Sequence, residues 1–279
     1  MKNRDTSQFR NKRRVFFLWG MLLALGVFLQ SVPARADVLD DVTPSGFGVT
    51  IGAWISPTVS GSINAGGIGS TSMSFKNDLG IPSQTMIVPE VYYRWDHGQI
   101  LDVRYNQFNQ TSTQTLANSQ SFQGSSFPAG IATTANAKVQ WADIVYELPI
   151  QYDQFPPHDR FLNIFLDLQP VRAQFNLTNA SGASGSQTIT LPLPLPGVHG
   201  KYRIGPDTSL EFRAAGIYVG FVDSLAWDYN LEAGINEKIL NDFTLSAKYR
   251  YFTFHNRDAS ANVFDFSLYG PEVDLNFQF

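Results

Sequence analysis

The stretch Tyr269-Gly-Pro-Glu-Val-Asp-Leu-Asn-Phe-Gln-Phe279 alternates without a break. Tyr269, Pro271, Val273, Leu275, Phe277 and Phe279 take one face, and Glu272, Asp274, Asn276 and Gln278 the other. A period of two is that of an extended strand with one apolar and one polar side. The pattern recurs in blocks of roughly ten residues. Phe47, Val49, Ile51, Ala53 and Ile55 alternate with Gly48, Thr50, Gly52, Trp54 and Ser56; Leu210 to Tyr218 and Phe243 to Tyr251 repeat it. No stretch beyond residue 36 keeps an apolar helical stripe for three turns, so the chain reads as all-β.

Ten residues at about 3.3 Å each, tilted by some 45°, cover roughly 23 Å, close to the apolar height of a transmembrane barrel. Short connections fall at Asp96-Gln99, Phe155-Asp159, Gly205-Asp207 and Leu240-Asp242. Long ones rich in Ser, Thr, Asn, Gly and Gln fall near 57–83, 112–136 and 178–187. Tight turns at one end and long loops at the other suit an antiparallel up-and-down transmembrane β-barrel. The expected strands are 46–56, 84–95, 100–111, 137–150, 160–177, 188–203, 208–221, 225–238, 243–255 and 263–279, with a short link at Val222-Leu225. That makes ten; eight or twelve are the alternatives, because 57–83 and 160–196 divide in more than one way. Val171 to Leu177 runs out of phase with Leu162 to Leu168, which predicts a bulge near Pro170.

A water-soluble sandwich would also alternate. Against it stand apolar faces rich in aromatics and the placing of Trp95, Trp227, Tyr251 and Phe254 near strand ends, where interfacial girdles belong. The mean hydropathy lies slightly below zero, too polar for a helical bundle in lipid and normal where lipid-facing and lumen-facing residues average out.

The first 36 residues read as a secretory signal peptide: a basic start (Lys2, Arg4, Arg10, Lys12, Arg13, Arg14), an apolar run Val15–Leu29, and an Ala34-Arg35-Ala36 cleavage site. The organisation expected is a signal peptide over 1–36, a short periplasmic segment over 37–45 and a barrel over 46–279, with both termini periplasmic. Seven of the 20 basic and one of the 24 acidic residues lie in the leader, which leaves 13 and 23, a net charge of −10. Nucleic acid is a poor partner for so acidic a chain. The chain holds no Cys, which removes disulfides and thiolate metal sites.

The ending from Tyr269 to Phe279 resembles the terminal strand of Gram-negative outer-membrane proteins, which close on Phe with apolar residues at every second position. That likeness implies that Tyr269, Val273, Leu275, Phe277 and Phe279 are read by the barrel-assembly machinery. Ser72-Met-Ser-Phe-Lys-Asn-Asp-Leu-Gly-Ile81 and Leu191-Pro-Leu-Pro-Leu-Pro-Gly-Val198 resemble segments of a group of small proteobacterial outer-membrane barrels. The resemblance implies fold, an outer-membrane location and contact with its lipid, and no substrate.

With the apolar face outward, the charged residues of the other face line the lumen. On the first half of the chain they are Glu90, Arg94, Asp102, Arg104, Asp143, Glu147, Asp167 and Arg172. On the second they are Lys201, Arg203, Glu211, Arg213, Asp228, Glu232, Lys248, Arg250, Glu272 and Asp274. Ten acids face eight bases. A selective pore concentrates one sign at its constriction, whereas interleaved signs suit ion pairs across a narrow lumen. A barrel near eight strands is filled by its own side chains, so a general porin is excluded and a narrow or gated passage for small polar solutes is expected, or a purely structural barrel. The alternatives are a barrel whose external loops, above all 112–136, meet a partner, and a lipid hydrolase or acyltransferase at the outer rim built from His255, Asp223 and Ser224. The spacing of those three is unspecific, so no enzyme, cofactor or metal is expected. His97 and His158 fall in turns and His199 inside a strand. The Gly-rich Ser60–Ser70 lacks the Lys-Ser/Thr and the helix of a phosphate loop, and reads as an external loop or lumenal insert.

Overall fold

The computed structural model describes residues 45–64, 71–96, 98–150, 160–221, 224–240, 242–258 and 262–279. The leader with Ala34 and Ala36, residues 37–44, His97, His158 and Asp223 lie outside them, as does the side chain of Ser224.

Ten strands form the wall: β1 (Gly46–Trp54), β2 (Met86–Arg94), β3 (Ile100–Thr115), β4 (Ala132–Pro149), β5 (Arg160–Asn179), β6 (Ser184–Arg203), β7 (Thr208–Phe221), β8 (Ser224–Leu240), β9 (Phe243–Arg257) and β10 (Val263–Gln278). Each pairs antiparallel with the next, and β10 returns to β1 through Val49↔Phe277 and its neighbours, which closes the barrel. Among the described residues there is no helix.

Two departures from the sequence reading concern where the strands bulge. No bulge forms at Pro170. The β4–β5 ladder runs to Trp141↔Val171, skips two rungs, and resumes in the same register at Ile144↔Leu168. Proline lacks the N–H that those rungs need, so the strand loses bonds and keeps its phase. A bulge occurs instead on β1. Pairing with β10 stops at Trp54↔Glu272 and resumes at Thr58↔Tyr269, one residue out of step, with Ser56 at φ 40°. The segment Thr58–Asn64 thereby prolongs β1 up the side of β10.

The strands are also longer than their composition suggested. β5 and β6 leave only residues 180–183 between them, a turn in which Asn179 Oδ1 accepts from the N–H groups of Ser181 and Ala183. The region expected as a loop over 112–136 narrows to 116–131 and contains a hairpin, Gln120–Phe122 with Ser125–Phe127. Thr111, Thr113, Thr134, Asn136, Asn176 and Ser186, which read as loop or loop-edge residues, pair with one another on the exposed outer face of these extensions, while Thr133 is buried.

The barrel therefore has two storeys. Towards the short-turn end the outer face is apolar, as at Leu101, Val103, Ile144, Tyr146, Leu166 and Leu168, all exposed. Tyr93, Trp95 and Tyr146 cluster at its lower edge, with ring centroids 4.9 and 6.3 Å apart. Trp227, Tyr229, Tyr251 and Tyr269 stand at its upper edge. Towards the long-loop end the faces exchange character. Gln107, Asn109, Arg172 and Gln174 point outward, and Val139, Trp141, Val171, Ala173, Phe175 and Leu177 are buried inside. Phe254, expected in a girdle, belongs to this interior and is wholly buried.

Candidate functional site

The lower lumen is a lattice of charged side chains. Arg104 on β3 donates from Nε to Asp143 on β4 at 2.9 Å and from Nη2 to Glu232 on β8 at 2.6 Å. Arg250 on β9 reaches Asp143 at 3.2 Å and Glu272 on β10 at 3.3 Å. In a ring of ten, β3 and β8 are five strands apart, and so are β4 and β9. Both contacts consequently span the whole lumen. The side chains of Arg104 and Arg250 are 2% and 0% accessible, so water does not line them.

Neutral amides fill the gaps. Asn106 Nδ2 and Gln169 Nε2 donate to Asp143 at 3.0 and 2.6 Å, and Arg250 Nη1 donates to Asn106 Oδ1 at 2.9 Å. Arg250 also lies over the Trp54 ring at 4.7 Å. Lys248 adds Asp274 at 2.7 Å and both Glu232 and Glu272 at 3.3 Å.

A second cluster lies nearer the short turns. His199 holds Glu147 through Nδ1 at 2.9 Å and Glu211 through Nε2 at 2.7 Å. Arg213 joins Glu147 at 2.8 Å and Asp102 at 3.2 Å, and stacks on Phe165. At the rim Arg203 donates to the carbonyl oxygens of Gly205 and Pro206.

Arg172 does not belong to the lumen. Because β5 keeps its phase through Pro170, the residue falls on the outer face, exposed just above the apolar band. Asp228 and Asp167 do face inward and are buried, yet neither oxygen of Asp228 and only one of Asp167 has a hydrogen-bond partner among the described residues. Sequence reasoning missed His199, Asn106 and Gln169 as lattice members. Their signal was parity: each stands an even number of residues from a lumen charge on its own strand.

Above the lattice the lumen is filled by apolar side chains. Phe75 rests against Phe175 of β5 at 5.7 Å and against Phe264 and Phe266 of β10 at 5.7 and 6.0 Å. β5 and β10 are opposite walls, so the described part of the β1–β2 link is a plug. Trp141 stacks on Phe252 at 4.3 Å, and Phe122 of the hairpin covers Phe175 at 5.5 Å.

His255, the rim candidate, faces outward. It stacks on Trp227 at 5.1 Å and bonds Asp265 through Nδ1. Among the described residues no group of three or more His, Asp or Glu is placed to hold a metal ion.

No protein-family model matches the chain, and no curated protein matches it. Solved structures do. The outer-membrane protease OmpT of Escherichia coli aligns over 87% of this chain and 99% of its own, at 10% identity and a TM-score of 0.56. The translocator domain of the autotransporter NalP from Neisseria meningitidis covers 97% and 98% at 11% identity, with a TM-score of 0.48. The toluene transporter TodX of Pseudomonas putida covers 85% and 90% at 11% identity, with a TM-score of 0.37. At such identities the likeness is one of fold: this chain is a closed ten-stranded antiparallel barrel of the kind built by Gram-negative outer-membrane proteins.

Proposed function

We propose that the chain is an integral barrel of a bacterial outer membrane, with its short turns on the periplasmic side, whose lumen is a gated rather than an open conduit for small polar solutes. The membrane placement is supported by the outward apolar band and the aromatic residues at its two edges. The observation that carries the gating is the lattice itself: Arg104–Glu232 and Arg250–Asp143 tie opposite walls. An open channel solvates its lining charges, whereas these are buried and paired. Passage requires the lattice to part and the Phe75 plug to shift.

Conductance across a planar bilayer tests it. Wild-type barrel is expected to stay closed for most of the record, and the Arg104→Ala, Arg250→Ala double variant to show frequent small steps. Large, steady steps from the wild type would sink the gated reading. A folded double variant that never conducts would reduce the protein to a structural barrel.

A further inference from the structure

In an antiparallel ladder alternate residues bond to alternate neighbours, each turning its N–H and C=O to one side. β6 pairs with β5 without interruption from Ser184↔Thr178 to Tyr202↔Arg160. Pro192, Pro194 and Pro196 have no N–H, so the odd-numbered residues of β6 must carry that ladder. The even-numbered ones are turned towards β7. Val198, Gly200 and Tyr202 can donate there, and the β6–β7 ladder covers Gly197–Arg203. It ends at Gly197↔Ala215, where the prolines begin, although β6 continues to Ser184 and β7 to Phe221.

The level of this gap matters. Pro192, Pro194 and Pro196 pair across β5 with Pro170, Leu168 and Leu166, below Arg172 and within the outward apolar band. The ladder also stops short between β2 and β3, above Glu90↔Arg104 and beside Pro89. There a side chain bridges the gap: Asn109 N–H donates to Gln84 Oε1 at 3.2 Å. Beside the β6–β7 gap Leu193 and Leu195 of β6 are buried, while Ile217 and Val219, the inward residues of β7, are only partly so. The β7 side of the interior is thus partly accessible at the level of an unzipped seam.

We infer that the β6–β7 seam above Gly197 is a lateral portal, through which a small apolar solute dissolved in the bilayer enters and leaves the apolar upper lumen. Three successive missing donors lower the cost of the opening. Lipid cannot satisfy a bare N–H; on the β6 side of the seam these positions have none, and only the β7 donors that face it, those of Gly216, Tyr218 and Gly220, are left bare. Leu191, Ile217 and Val219 give the solute apolar contact, and the Phe75 plug bounds it behind. The proposal rests on the membrane placement above and goes beyond the polar conduit, which it does not need.

The test is uptake of N-phenyl-1-naphthylamine, an apolar dye that fluoresces on leaving water, by cells carrying the barrel in their outer membrane. Wild type is expected to raise the initial rate several-fold over cells without the barrel. The triple variant P192V/P194V/P196V restores three donors and should zip the seam, returning the rate to background. Val219→Trp, which fills the portal and leaves the backbone alone, should do the same and serves if the triple variant does not fold. Heat-modifiable migration verifies folding, and conductance of the same proteins should not change. Wild-type uptake at background, or undiminished uptake through both folded variants, would overturn the portal.

Discussion

Arg104 Nη2 lies 2.6 Å from Glu232 Oε1, and the two residues stand on β3 and β8, opposite walls of the barrel. Their contact sets the width of the lumen at that level to the reach of two side chains. Both are almost fully buried, so neither charge has water as an alternative partner. Removing one end strands the other. Arg104→Ala is expected to cost about 3–5 kcal/mol, the usual penalty for orphaning a buried charge. Combining it with Glu232→Gln should cost less than the two single changes together, by roughly 0.5–3 kcal/mol of coupling. Urea unfolding from lipid vesicles measures both; additive effects would mean that the pair is not coupled.

Asp228 presents the opposite case. It is buried on β8, and neither of its oxygens has a partner among the described residues. Burying a polar group without compensation is unfavourable, so the residue weakens the fold. Asp228→Leu is accordingly expected to raise the unfolding midpoint or leave it unchanged. Asp143→Leu is the control. That change removes the acceptor shared by Arg104, Arg250, Asn106 and Gln169 and should be strongly destabilising. A marked loss of stability in Asp228→Leu would show that the carboxylate has a partner of its own.

These two residues also show what the sequence could and could not disclose. Alternation reports which residues share a face, and in the lower storey the face with Asp102, Arg104 and Glu232 could only be the inner one if lipid lay outside. The ten strands were legible for the same reason. Alternation does not report which face is inward once the surroundings change. Val171 to Leu177 carry their apolar residues on the parity of Asp167, and keeping apolar residues outside there requires a bulge. The structure keeps the phase and lets the inside turn apolar, because Phe75 enters from a segment distant in sequence. Arg172 is thereby moved to the exterior. No local pattern announces such an insertion, and long-range packing of this kind is what single-sequence periodicity leaves out.

The plug makes its own prediction. Phe75 is buried at the centre of the upper lumen, held by three rings from opposite walls, with Lys76 exposed beside it. Phe75→Ala removes those contacts while the ladders of the wall stay intact. The expected result is local release: tryptic cleavage after Lys76 becomes much faster, and the barrel's unfolding midpoint moves little. A phenylalanine truncated in an ordinary core costs about 3–5 kcal/mol of global stability. A drop of that size would mean that plug and wall unfold as one unit.

The apolar band can be tested position by position. Leu166 lies on the outer face of β5 inside the band, and Gln174 lies on the same face of the same strand, eight residues further up and above Arg172. In water the two sites are equally tolerant of Arg, since both side chains point away from the wall. In a bilayer they are not: Arg facing hydrocarbon near the midplane costs about 2–4 kcal/mol, falling to about 0–1 kcal/mol towards the interface. Leu166→Arg should therefore slow insertion into lipid vesicles and lower the unfolding midpoint measured there, while Gln174→Arg behaves as wild type. The contrast should shrink in detergent micelles, which deform around a charge. Equal tolerance of both substitutions in vesicles would place the lower storey outside the hydrocarbon, and with it the reason for its apolar surface.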